Sequence, residues 1–240
     1  MKRVYVAGLR ALRSVLATLG LLGLLDRWAA RSRTGMWVRS WFSIYDLADL
    51  LPHDTPWWTF ASADQVEWFL ATRPGARVFE WGSGASTVWL GKRAGQVHSV
   101  EHDAAWAATM REVLPDNATL TVVEPVRRPG GLRAGDQASA KPGFEGLDFT
   151  DYVAAIDDVP GDFDLVVIDG RAREACLARA VERLAPGGLI VFDNVDRERY
   201  RDAIAALGDR VATTWTRGRT PSLPYPTRTA LLSVPEPAER

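Results

Sequence analysis

An apolar run of β type that ends in an acid and then breaks into a glycine-rich turn limits what this chain can fold into: residues 78–87 read VFEWGSGAST. Strand, tight turn and helix start, in that order, form the opening unit of an α/β sheet. Gly82 and Gly84 can take backbone angles closed to other residues and leave no Cβ in the way, so a ligand can lie directly against the main chain. Ser86 and Thr87 begin the following helix, whose unpaired N–H groups and positive dipole end suit an anionic group. The fine spacing argues against a dinucleotide. A G-x-G-x-x-G fingerprint would need glycine at 87, where the chain has Thr87, and Glu80 puts a carboxylate beside where pyrophosphate would sit. A carboxylate there favours an ammonium group.

Three later segments extend the pattern. VHSVEHD (97–103) reads as a second strand presenting Glu101; FDLVVIDGR (163–171) is a buried strand ending in Asp169. LAPGGLIVFDNV (184–195) reads as a helix end, a Pro-Gly-Gly turn and another buried strand ending in Asp193 and Asn194. With E-x-G-x-G-x-[ST], these four ordered motifs resemble the class I S-adenosylmethionine-dependent methyltransferases across residues 76–234. The resemblance implies an enzyme with adenosylmethionine as methyl donor, and a cofactor shell of Glu80, Gly82, Ser83, Gly84, Ser86, Glu101 and His102. In that family an acid at the place of Glu101 accepts hydrogen bonds from both ribose hydroxyls, a task for a bidentate acceptor. The plainer alternative is a Rossmann-like domain with an unrelated ligand.

Asp169, Asp193 and Asn194 end two strands expected to be neighbours, and Asp169 and Asp193 are the catalytic candidates. The resemblance extends to the metal-dependent small-molecule O-methyltransferases, which place such a trio of oxygen donors around a divalent cation, here magnesium. The chain departs from them directly afterwards: GlyArgAlaArg at 170–173 lacks the lysine those enzymes carry near the metal-binding aspartate. The alternative is that Asp169 lies near the methyl donor while Asp193 and Asn194 cap the next helix. Without a metal, the general base is Asp169, Asp193 or His53. Arg171 and Arg173 read either as a grip on an anionic acceptor or as solvated residues at a helix start.

Regular alternation fixes the rest of the expected architecture. Strands are expected near 77–81, 96–101, 119–123, 163–168 and 188–193, separated by helices at 86–94, 103–114, 149–156 and 173–184, with a further helix at 197–207. Two β-type segments, 211–216 and 229–234, close the chain. This is a doubly wound, mostly parallel, seven-stranded Rossmann-like α/β sheet with a C-terminal antiparallel hairpin, preceded by an N-terminal helical segment. Its apolar middle strands fit a sheet covered on both faces. The loop 124–147 is long for a compact domain. Ser62 and Gln65 form a capping-box pattern that opens a helix through Trp68 and Leu70.

The chain divides into an apolar and basic N-terminal helix (1–35), an aromatic-rich helical segment (36–75) and the methyltransferase-like domain (76–240). Near balance between 29 Lys and Arg and 30 Asp and Glu gives no basic field that would point to nucleic acid. Cys176 is the only cysteine, which rules out a disulfide framework and reads as a buried packing residue. Residues 15–25 form an apolar run behind Lys2, Arg3, Arg10 and Arg13, too short to span a bilayer. It fits a helix packed on the domain or a partner, an interfacial membrane helix, or a processed leader. The aromatics Trp37, Trp41, Phe42, Tyr45, Trp57, Trp58 and Phe60 line an acceptor pocket or cover a core face. The expected function is methyl transfer, most simply O-methylation, to a small-molecule or glycan acceptor, in its lipid-linked form at a membrane. The expected location is the cytoplasm, with peripheral contact through residues 1–30 on the inner face of the membrane. The rivals are a non-catalytic adenosylmethionine-binding scaffold and an aminopropyltransferase on the same fold.

Overall fold

Period-two alternation in the middle strands builds the molecule. In the computed structural model, residues 2–43 and 47–235 are described, the side chains of residues 2–7 and 10 excepted. Tyr45 therefore lies outside the described residues, as do the side chains of Lys2, Arg3 and Arg10. The first core strand, β1 (Arg77–Trp81), sends Phe79 and Trp81 to one core cluster and Val78 to the other. Further along the chain, β6 (Phe163–Ile168) splits Val166 and Ile168 from Leu165 and Val167, and β7 (Leu184–Asp193) splits Ile190 and Phe192 from Val191. Both faces are thus apolar and both are covered, as a parallel sheet requires. Each such fully buried side chain contributes about 1.5–3 kcal/mol.

The seven-stranded sheet runs β3-β2-β1-β6-β7-β9-β8, with β2 (Gln96–Glu101) and β3 (Ala118–Val122) parallel to β1 on one side. On the other side β6 and β7 continue parallel, and β9 (Thr227–Ser233) inserts antiparallel between β7 and β8 (Ala212–Gly218). The strand order reverses between β1 and β6, which opens a crevice at their carboxyl ends. Helices α6 (Ala85–Gly91), α7 (Ala104–Arg111), α8 (Thr150–Ala154), α9 (Arg173–Glu182) and α10 (Glu198–Ala205) make the crossovers and cover the faces. Cys176 is fully buried among the apolar residues of one face.

Several boundaries differ from the sequence expectation for identifiable reasons. Helix α5 (Phe60–Ala71) starts ahead of Ser62, because Thr59 is the cap: its hydroxyl accepts the Ser62 N–H at 3.2 Å and meets Thr216 Oγ1 of β8 at 2.9 Å. A tertiary hydroxyl cluster thus decides what local pattern suggested otherwise. Strand β7 begins at Leu184, where a helix end was expected, and reaches its regular register only past an irregularity opposite Phe163–Leu165. The long loop is ordered by a short antiparallel ribbon, β4 (Val126–Arg127) with β5 (Leu147–Asp148). Asp148 anchors it, accepting from Arg128, Gln137 and Thr150; these bonds outweigh the burial that opposes them and hold its carboxyl at about 2.

The N-terminal apolar run is two elements. Gly20, at φ 70°, separates α1 (Lys2–Thr18) from α2 (Leu21–Ala29), and α3 (Arg33–Ser40) folds back against α2. A short α4 (Leu47–Leu50) follows. Among the described residues no helix is long and apolar enough to cross a membrane. Arg39, nearly buried, binds Asp26 of α2 at 2.6 Å and Asp49 of α4 at 2.8 Å, and Asp49 also takes Arg13 of α1 at 2.9 Å. This layer meets the sheet domain through Trp37, whose indole N–H donates to Leu223 O, and through Ser40, whose hydroxyl accepts the Ser222 N–H.

Candidate active site

Gly82 leaves β1 at φ 97°, a conformation that L side chains rarely adopt, and a Cβ there would lie 2.8 Å from the backbone of Gly170 beyond β6. The turn therefore closes against the neighbouring strand end at backbone contact distance. Gly84 behaves differently. Its φ of 178° is extended and open to any residue, but a Cβ there would meet nothing within 4 Å, so its contribution is the space it leaves. Around this turn lies a cleft of about 400 Å³, within the range of small-molecule sites. Gly82, Ser83, Gly84 and Ser86 line one side, Glu101, His102 and Trp106 the next, and Phe144, Asp169 and Arg171 the far side.

Glu101 ends β2 with its carboxylate on the cleft wall. Oε2 accepts the Ser83 N–H and hydroxyl, both at 3.1 Å; Oε1 accepts the backbone N–H of His102 at 2.7 Å and of Asp103 at 3.0 Å. His102 Nδ1 lies 2.6 Å from the same oxygen. Burial raises the carboxyl, but His102 and the two backbone donors outweigh it, so Glu101 sits below the ordinary range and stays ionised. Trp106 follows the Asp103 helix cap and donates its indole N–H to Ser83 O at 2.9 Å, which brings an aromatic face to the same wall. An open glycine backbone, an ionised carboxylate and neighbouring rings fit an adenosyl group.

Glu80 is placed otherwise than its position in the motif suggests. It is completely buried: Oε1 accepts from Ser86, and Oε2 from Thr87 at 2.5 Å and from Ser99. Burial pushes its carboxyl up to about 7 despite these hydroxyls. Glu80 ties the turn to β2 from behind and is not among the residues lining the cleft, so the expected ammonium contact is corrected to a structural one. Ser86 reaches the cleft but spends its hydroxyl on Glu80.

A second pocket, of about 220 Å³, opens on the other side of Trp57 and Asp169, both of which line the two spaces. Its remaining walls are Asp193, Asn194 and residues 220–223 of the loop between β8 and β9. Sequence reasoning missed that loop, whose composition carries no motif, and missed Phe144 and Trp106 as individual residues. Two of the four non-glycine residues with positive φ among the described residues, Asn194 (57°) and Ser222 (66°), sit in this wall, and a third, Ala172 (47°), precedes α9. Backbone strain of this kind collects at ligand sites.

Asp169, Asp193 and Asn194 do converge, as expected, but around a cation supplied by the chain. Arg173, 4 % exposed, donates from Nε to Gly170 O at 3.0 Å, from Nη1 to Asp193 O at 2.7 Å, and from Nη2 to Asp169 O and Oδ1, both at 2.6 Å. Asp193 gives Oδ1 to the Thr229 hydroxyl at 2.6 Å and Oδ2 to the Asn194 amide at 2.5 Å. Three of the four carboxylate oxygens are thus engaged beside a buried guanidinium, a donor set that does not fit a divalent cation. The magnesium expectation is corrected on this ground, and among the described residues no cluster of three His, Cys, Asp or Glu suits a metal. Arg173 is likewise unavailable to grip an acceptor. Arg171, stacked over Phe144 at 5.4 Å, remains on the cleft wall with its Nε unpaired among the described residues. Burial raises Asp169 and Asp193; Arg173 pulls both back, and the charge of Asp169 raises Asp193 further. His53 lies elsewhere, in a space lined by Asp54, Phe60 and Trp89, which removes it as a candidate base.

Residues 79–195 match a family model described as a methyltransferase domain. Among solved structures the chain is similar to the O-methyltransferase from Bacillus cereus in complex with SAH, at 21 % identity over 83 % of this chain and 99 % of that one, with a TM-score of 0.53. It is also similar to a methyltransferase-like protein from Silicibacter pomeroyi, at 23 % identity over 75 % and 88 % of the two chains, with a TM-score of 0.50. No curated protein sequence matches it. The two structures speak for the fold and the matched model for the domain: residues 79–195 form a methyltransferase domain on a Rossmann-like sheet.

Proposed function

We propose that this enzyme methylates a hydroxyl of a small polyhydroxylated acceptor, a free or lipid-linked sugar, with Asp169 as general base. The observation that carries the reading is the shared wall: Trp57 and Asp169 bound both the cofactor cleft and the smaller pocket, so an acceptor in the second space meets the donor at Asp169. The pocket's volume of about 220 Å³ suits one ring. Trp57 Nε1 and Ser222 Oγ, both buried, have no hydrogen-bond partner among the described residues. Buried donors left unpaired cost free energy that a ligand's oxygens would offset, which favours a hydroxyl-bearing acceptor over an apolar one.

Adenosylmethionine supplies an electrophilic methyl on a sulfonium, so the protein has to align acceptor and donor and take one proton. Asp169 has Oδ1 fixed by Arg173, while no donor among the described residues bonds Oδ2. Arg173 orients the carboxylate, and Oδ2 is left to accept the acceptor's proton as the oxygen–methyl bond forms. Ribose hydroxyls would replace the Ser83 hydroxyl and the His102 ring at Glu101, leaving its two backbone donors in place. Arg171 offers charge to the donor's carboxylate.

Calorimetric titration with adenosylmethionine, adenosylhomocysteine and NAD tests the cofactor; we expect the first two to bind and Glu101→Ala to lose both. Binding of NAD alone would defeat that part. Incubation with monosaccharides, phenols, amines and RNA then tests the acceptor, and methyl transfer confined to amines or RNA would overturn the hydroxyl reading. Binding without turnover on any acceptor would favour the scaffold.

A further inference from the structure

Amphipathic helices in water turn their apolar stripe inward, yet the N-terminal pair of this chain leaves a second apolar stripe outside. Leu12 and Val15 on α1 and Leu19 in the turn that extends it lie at i, i+3 and i+7, one helical face, and all three are exposed, Leu19 by 64 %. Leu21, Leu24 and Trp28 repeat the spacing on α2 and are exposed as well. Toward the body the pair turns the half-buried Leu9, Leu16, Leu22 and Leu25, together with Arg13, which reaches Asp49. Six large apolar side chains in water, on helices whose ion pairs face the body, form a surface that lacks its counterpart.

Charge selects the occupant. Residues 1–33 contain seven Lys and Arg against the single Asp26, while the whole chain is at −1, so the acidic excess lies in the remainder. Arg27 and Arg31 are exposed beside the α2 stripe. A second copy docking face to face would bring two strongly basic segments together. An anionic lipid surface would accept both the leucines and the arginines, as interfacial helices do. We infer that α1 and α2 are a docking face for an anionic bilayer, lying in its interface without crossing it. The inference is independent of the acceptor reading; a lipid-linked acceptor would give it a purpose.

Full-length protein is sedimented with vesicles of phosphatidylcholine alone and of phosphatidylcholine mixed with phosphatidylglycerol. We expect pelleting with the anionic vesicles, weakened by salt, and about tenfold weaker in the Leu21→Ser, Leu24→Ser, Trp28→Ser variant. Arg27→Gln with Arg31→Gln should weaken binding to anionic vesicles only. Trp28 also packs on Gly35, so the Leu21→Ser, Leu24→Ser pair serves beside the triple variant: it should weaken binding with thermal stability and adenosylhomocysteine affinity unchanged. Equal pelleting of wild type and the triple variant, or none with either vesicle, overturns the inference. So does a dimer in sedimentation velocity that the triple variant abolishes, which would assign the face to a second copy.

Discussion

Three acids around the cleft, two buried and one half-buried, show how surroundings, more than residue type, set a role. Asp169 lines the smaller pocket with one oxygen unengaged, so on the proposed reading Asp169→Asn should keep cofactor affinity and lose about 10²–10⁴-fold in turnover. A base must be ionised to act, and burial raises Asp169, so kcat/KM should climb as the pH rises and its acidic limb should vanish in the variant. Glu80 titrates with a different consequence. Its folded-state value, about 7, exceeds the ordinary 4.5, so its contribution to stability is complete below pH 4.5 and is lost as the pH rises to about 7. The loss amounts to about 3 kcal/mol, and Glu80→Gln should flatten that part of a denaturant-derived stability curve. Glu101 lies below the ordinary range and stays ionised, as the proposed ribose contact requires.

At the level of elements, the glycine turn separates two requirements that its motif merges. Gly82→Ala meets both a positive φ and a contact at 2.8 Å, and should cost about 1–3 kcal/mol of stability by denaturation. Gly84→Ala meets neither. Its stability should be unchanged, and any loss of adenosylhomocysteine affinity would report a ligand lying directly on that backbone. The turn itself was legible from VFEWGSGAST, because glycine spacing after an apolar run is local information. The start of α5 was not, since Thr59 becomes its cap together with Thr216, 157 residues away.

Across the whole molecule, two buried arginines tie neighbouring elements together. Arg39 gathers α2, α3 and α4, so Arg39→Met should leave Asp49 to Arg13 and Ser43 and cost about 1.5–3 kcal/mol, read by chemical denaturation. Arg173 joins the ends of β6 and β7 and takes the place that the Asp169, Asp193 and Asn194 pattern suggested for a metal. From the sequence it was one of two arginines at a helix start; only packing distinguishes it from Arg171, which stays on the cleft wall.

The sequence by itself determined the mostly parallel sheet with its C-terminal hairpin, the glycine turn and the placing of Glu101 and Asp169 at strand ends. Period-two apolarity and glycine spacing are properties of neighbouring residues, so they survive without coordinates. Tertiary structure alone decided that Glu80 faces hydroxyls, that residues 220–223 line the smaller pocket beside Asp169 and that leucines of α1 and α2 face outward. Those outcomes depend on which distant segments meet, and burial and pairing energies are fixed only when they do.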